Sequence, residues 1–228
     1  MAIAAPLGLF DDLRARVGDL WDQAQDHPFV HELGASTLPR ESFIHYLRQD
    51  YVYCVAFCRA ASLAAARARS VAEMQLFSGM VDAVLNHELE VHRGYCAEYG
   101  ITPAQLEAEE AAPGCRAYLD FCVATASLED SAALLCALTP CAVGYAEIGA
   151  RLAQQTAGVA DHPYRRWIEM YSGAEYQGFA SWIKSQLDEL GQRADSVRRD
   201  ELARLFELGC RYEWIFWEMA YTRQQWPV

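Results

Sequence analysis

The sequence predicts an all-α fold, one compact helical bundle spanning residues 1–228. Three observations lead there. Ala, Leu, Glu, Arg and Gln dominate while Val, Ile and Thr are sparse, so propensity favours helix along nearly the whole chain. Pro and Gly interrupt it at Pro28, Gly34/Pro39, Gly100/Pro103, Pro113/Gly114, Gly158/Pro163, Gly173 and Gly191, leaving stretches of helical length between them. No stretch alternates apolar and polar residues in the manner of a half-buried strand. With no repeat or low-complexity linker, 228 residues suit a single domain with a substantial core.

The segments expected to be helical are 8–25, 40–66, 70–98, 115–126, 128–155, 164–188 and 195–223. In 40–66, Phe43, Leu47, Cys54, Cys58 and Ala61 fall within roughly a 60° stripe at 100° per residue. Arg48, Gln49 and Arg59 point the other way, and Tyr46, Tyr53 and Phe57 line one flank. Asp50 lies beside the apolar stripe instead of on the charged face. The segment 128–155 carries its stripe on Leu134, Leu138, Cys141, Tyr145, Ile148 and Leu152, with Glu147 and Arg151 outside it. In 195–223 the apolar face is Leu202, Leu205, Phe206, Gly209, Phe216, Trp217 and Ala220. Glu213 sits near its centre, while Glu201, Arg204, Glu207, Arg211 and Glu218 take the opposite side.

Asp50 and Glu213 therefore break well-segregated helices, at a cost of several kcal/mol for an unpaired ionised carboxylate. Each is either an internal ion pair or cap, or part of a polar pocket shared in the bundle core. A cysteine on an apolar stripe is ordinarily a small hydrophobe, but Cys141 follows a proline inside a helical pattern. Pro140 donates no hydrogen bond to the carbonyl of Cys136, so a kink is expected beside the thiol, giving a ligand room to approach.

His87-Glu88-Leu89-Glu90-Val91-His92 superficially resembles a zinc motif. Its histidines are five apart, diverge by about 140° and do not share a metal. Glu88 and His92 have the spacing of half a di-iron site, but a matching Glu-x-x-His on a second helix is absent. The stretch reads as an exposed helix face with local ion pairs. No metal or cofactor is expected.

A net charge of −12 and the lack of any basic run argue against a nucleic-acid partner. No apolar run reads as a membrane span of roughly 20 residues. The apolar opening Met1–Phe10 lacks a basic flank and is followed at once by Asp11 and Asp12, unlike a targeting signal. Eight cysteines without CxxC spacing, mostly inside apolar segments, suit a reduced, cytoplasmic protein. No GxGxxG, P-loop or GxSxG pattern occurs.

His27-Pro28-Phe29-Val30, with Gly34 and Thr37-Leu38-Pro39, resembles the opening of the TenA (thiaminase II) family. So do Tyr46-Leu47-Arg48-Gln49-Asp50-Tyr51-Val52-Tyr53, Leu138-Thr139-Pro140-Cys141 with Tyr145, and Trp167-Ile168 with Tyr171. Tyr212-Glu213-Trp214-Ile215-Phe216-Trp217-Glu218-Met219-Ala220-Tyr221, then Trp226, resembles its closing helix. The resemblance implies a haem-oxygenase-like bundle that binds no haem and assembles as a homotetramer. It implies hydrolysis of 4-amino-5-aminomethyl-2-methylpyrimidine to the hydroxymethyl pyrimidine and ammonia, or of thiamine to the same pyrimidine and its thiazole, in thiamine salvage. Cys141 would add to the ring as thiolate, Glu213 would hold and protonate a ring nitrogen, and Asp50 would bind the exocyclic amine and adjacent nitrogen. Tyr53, Tyr118, Tyr145 and Tyr171 would stack on the ring or supply hydroxyl groups. The competing readings are a pyrimidine-binding or regulatory protein without turnover, and a di-iron or cofactorless oxidase.

Overall fold

A computed structural model describes residues 8–228, together with all side chains in that span except that of His87. The residues before Gly8 in the opening stretch lie outside the described residues. Among these, every regular element is helical: α1 (Leu9–Val17), α2 (Asp19–Gln25), α3 (Pro28–Gly34), α4 (Arg40–Arg67), α5 (Val71–Ala83), a π-helical turn (Val84–Glu88), α6 (Leu89–Glu98), α7 (Pro103–Glu107), α8 (Pro113–Leu128), α9 (Ser131–Gln155), α10 (Arg165–Ser172), α11 (Ala174–Gly191) and α12 (Ser196–Thr222).

The long helices fall where the periodicity puts them, and the departures have local causes. The expected helix 8–25 breaks at Gly18, whose φ of +52° only glycine adopts cheaply. Pro28, read as an interruption, instead opens α3 as its first residue, where a missing N–H costs nothing. The ring of His27 caps that helix by accepting the N–H of Phe29 at 3.1 Å, and its other nitrogen meets Glu218 at 3.0 Å. Gly173 divides 164–188 into α10 and α11. α9 runs helical straight through Pro140.

α9 is the central helix, packed by α8, α10, α11 and α12, while α4 packs on α5, α8 and α12. Contrary to the sequence expectation, α9 is long and apolar enough to cross a membrane, with a mean hydropathy of 1.5 over its most apolar stretch. That stretch is 78% buried inside the bundle, which accounts for its apolarity. Gln49 is also corrected. It does not face outward but is buried, its amide donating to Glu109 Oε1 and the Glu110 carbonyl and accepting the N–H of Ala112. A buried amide with its donors and acceptor used is a tether between α4 and the loop before α8.

Candidate active site

Asp50 and Tyr53 on α4, Cys141 and Tyr145 on α9, and Tyr171 on α10 line one internal cavity, joined by Phe57, Glu88, Tyr176 and Phe179. At about 30 Å³ it has room for a couple of waters. A larger open groove, bounded by Arg67, Glu73, Asp130, Arg193 and Arg198, holds none of the expected site residues.

Tyr118 and Glu213 stand behind that wall. The Tyr118 hydroxyl donates to Glu213 Oε1 at 2.6 Å, and its ring lies 4.9 Å from that of Tyr53. Glu213 opens onto an adjoining space with Pro140, Tyr145 and Trp217. The aromatic floor is continuous: Trp217 stacks on Tyr145 at 4.9 Å, and Tyr145 meets Tyr171 edge-on at 4.9 Å.

Burial and charge set the protonation of this group. Burial raises the Glu213 carboxyl to about 7, although the Tyr118 hydroxyl opposes the shift. Burial pushes Asp50 well above the usual carboxylate range, the charge of Glu88 adds to this, and the Tyr46 hydroxyl works against it. The Cys141 thiol is likewise raised by burial and then by Glu213, with only Tyr53 lowering it. The surroundings of Cys141 raise its thiol instead of lowering it, so forming the thiolate there calls for a nearby base. The hydroxyl of Tyr53 is buried without a hydrogen-bond partner among the described residues.

Two residues that hold Asp50 escaped the sequence reading. Tyr46, one helical turn earlier, donates its hydroxyl to Asp50 Oδ2 at 3.3 Å and receives the indole N–H of Trp167 at 3.1 Å. The i, i+4 spacing of Tyr46 and Asp50 was available as a signal. His92 sends Nε2 to the Leu47 carbonyl at 2.6 Å and turns Nδ1 toward Asp50 Oδ2 at 3.6 Å. Burial lowers His92 to about 4, so this contact joins a neutral ring to a carboxyl and is not an ion pair.

The expected exposed face on Glu88 and His92 is thereby corrected. His92 is buried, and Glu88 forms cavity wall. The π-helical turn Val84–Glu88 supplies the reason: one wide turn re-aims every following side chain by about 100° relative to an unbroken α-helix. Among the described residues no three His, Cys, Asp or Glu side chains group as metal ligands.

Comparison with known proteins follows this geometry. The family model described as TENA/THI-4/PQQC matches residues 14–223. An aminopyrimidine aminohydrolase of Halalkalibacterium halodurans is 33% identical over 208 residues, covering 91% of this chain and 92% of that protein. The crystal structure of a TenA family transcription regulator from Silicibacter sp. TM1040 superposes with a TM-score of 0.87 at 36% identity, covering 96% of this chain and 100% of the other. A domain from Shewanella denitrificans, described as having a heme oxygenase-like fold, matches with a TM-score of 0.75 at 12% identity, over 94% of this chain and 92% of that one. The last likeness concerns the fold alone, which is of the haem-oxygenase-like type. The chain belongs to the TENA/THI-4/PQQC family.

Proposed function

We propose that this protein is an aminopyrimidine aminohydrolase of thiamine salvage, converting 4-amino-5-aminomethyl-2-methylpyrimidine and water to the hydroxymethyl pyrimidine and ammonia. The observation that carries the reading is the convergence of Asp50, Tyr53, Cys141, Tyr145 and Tyr171 on one cavity, with the Tyr118–Glu213 pair behind it. The Halalkalibacterium relative, named for this activity, supports it over nearly its full length.

The chemistry follows from the protonation states. Asp50, its carboxyl pushed upward by burial, is suited to offer a donor beside an acceptor, the complement of a ring nitrogen next to an exocyclic amine. Glu213, near 7, is suited to accept the Cys141 proton and return it to a ring nitrogen as sulfur bonds to a ring carbon. Expulsion of the amine from the methylene carbon leaves an exocyclic double bond, to which water adds. Loss of the thiolate and of the nitrogen-bound proton then restores the aromatic ring. Tyr145 and Tyr171 stack on the ring, Tyr53 offers its unpartnered hydroxyl, and no metal or organic cofactor takes part.

A protein that only bound the ring would have no use for a thiol beside a near-neutral carboxyl, which disfavours the regulatory reading. The eight free cysteines, seven of them buried, support residence in the reducing cytoplasm. We also infer a homotetramer, supported by the exposed apolar side chains of Val71 and Met74 on α5 and of Leu128, which lines the open groove. Ammonia release from the aminomethyl pyrimidine tests the activity. Cys141→Ser is expected to lower kcat by orders of magnitude at an unchanged melting temperature. Near-normal turnover by that variant would refute the covalent route.

A further inference from the structure

Three acids surround the cavity, and two of them are engaged. Asp50 is held by Tyr46 and faces His92, and Glu213 is held by Tyr118. Glu88 lines the same cavity and makes no hydrogen bond or ion pair among the described residues, burial alone governing its carboxyl. Glu88 is half-buried, and what burial there is raises its carboxyl to about 7. It sits on the last residue of a π-helical turn, a local widening that recurs where a helix must present a functional side chain. An unpaired carboxyl in such a place costs free energy unless a cation is supplied to it.

Resting on the proposed activity, we propose that Glu88 is the site for the cationic leaving group of the substrate, the side-chain ammonium of the aminomethyl pyrimidine. The ring-binding groups, Asp50 and the tyrosines, recognise a neutral aminopyrimidine and leave the charge at the end of the methylene unmatched. An alkyl amine is protonated near neutral pH, so the substrate brings a positive charge to Glu88, which no basic side chain among the described residues pairs. The ionised carboxylate and the ammonium form a charge-assisted hydrogen bond in a water-poor cavity. Carbon–nitrogen cleavage then releases neutral ammonia, which takes the electron pair of the broken bond and keeps the three hydrogens of the ammonium, and the Glu88 carboxylate accepts a hydrogen bond from it until it leaves. Glu88 is thus a specificity residue for charge in the leaving group, distinct from the residues that read the ring.

The test is calorimetric binding, using Cys141→Ser to prevent turnover, with and without Glu88→Gln. The two probes are 4-amino-5-aminomethyl-2-methylpyrimidine and its neutral analogue with methoxymethyl at the same carbon. Glu88→Gln is expected to weaken the aminomethyl compound by about 10- to 100-fold, the usual loss of a charged hydrogen bond, and the methoxymethyl compound by less than about threefold. Glu88→Asp, which keeps the charge on a shorter arm, is expected to restore part of that loss. Equal weakening of both probes, or of neither, overturns the role of Glu88. Failure of the aminomethyl compound to bind even before Glu88 is changed instead overturns the proposed activity, and this assignment with it.

Discussion

The Glu213 carboxyl titrates where its neighbours put it, and that has a consequence for stability. Its value moves from an ordinary 4.5 to about 7 on folding, so between those pH values the folded protein holds a proton that the unfolded chain has lost. The associated stabilisation is complete below about pH 4.5, declines as the pH rises and is gone once it passes about 7. A shift of this size corresponds to about 3 kcal/mol. Glu213→Gln keeps an oxygen to accept from Tyr118 but no longer titrates. Unfolding free energies of wild type and Glu213→Gln, measured from pH 5 to 8, are therefore expected to diverge, wild type losing more. Parallel curves would mean that Glu213 is not held protonated by its surroundings.

Among the elements, the contact of α9 with α10 places Tyr171. A Cβ on Gly149 would lie 2.6 Å from the Tyr171 carbonyl carbon and 2.8 Å from the Ser172 nitrogen, so the two backbones touch. Gly144, on the same helix, has nothing within 4 Å of its Cβ position. Gly149→Ala is expected to cost about 1–3 kcal/mol, overpacking outweighing the gain in helix propensity, and to push Tyr171 out of the cavity. Gly144→Ala has only the propensity gain and is expected to be neutral or stabilising by up to about 1 kcal/mol. Thermal melts of the pair, with ammonia release for Gly149→Ala, check both. A stable, fully active Gly149→Ala would show that α10 is not held by this contact.

Across the whole molecule, several large apolar side chains are exposed among the described residues. Val71 is 73% exposed and Leu128 78%. Leu128 lines the groove between the start of α5 and the end of α8, while Val71 and Met74 are exposed on the first turns of α5, whose Ala72, Glu73 and Leu76 line it. Scattered apolar side chains are normal on a surface, but exposed ones at the start of α5 and the end of α8, the two edges of one groove, suit an assembly contact. Sedimentation is expected to give four times the chain mass for wild type. Charged replacements at Val71 and Leu128 are expected to yield smaller species that keep their helical circular dichroism. A monomeric wild type would refute the tetramer.

The sequence by itself determined the long helices, most of their buried faces and three of the polar residues in those faces. Periodicity at 3.6 residues per turn is a local property, so Asp50 and Glu213 stand out on their own wheels and Cys141 stands out by the proline before it. The tyrosines Tyr53, Tyr118, Tyr145 and Tyr171 came from the family resemblance, and the fold brings all four to the cavity or directly behind it. Only tertiary structure decided the rest. Gln49 reads as outward-facing until the loop before α8 arrives to use its amide. His92 and Glu88 read as solvated until the π-helical turn rotates them inward, and nothing in the residues of that turn announces an extra residue per turn. The protonation of Asp50, Cys141 and Glu213 comes from burial among helices distant in sequence, and desolvation depends on everything packed around a group, which no single helix contains.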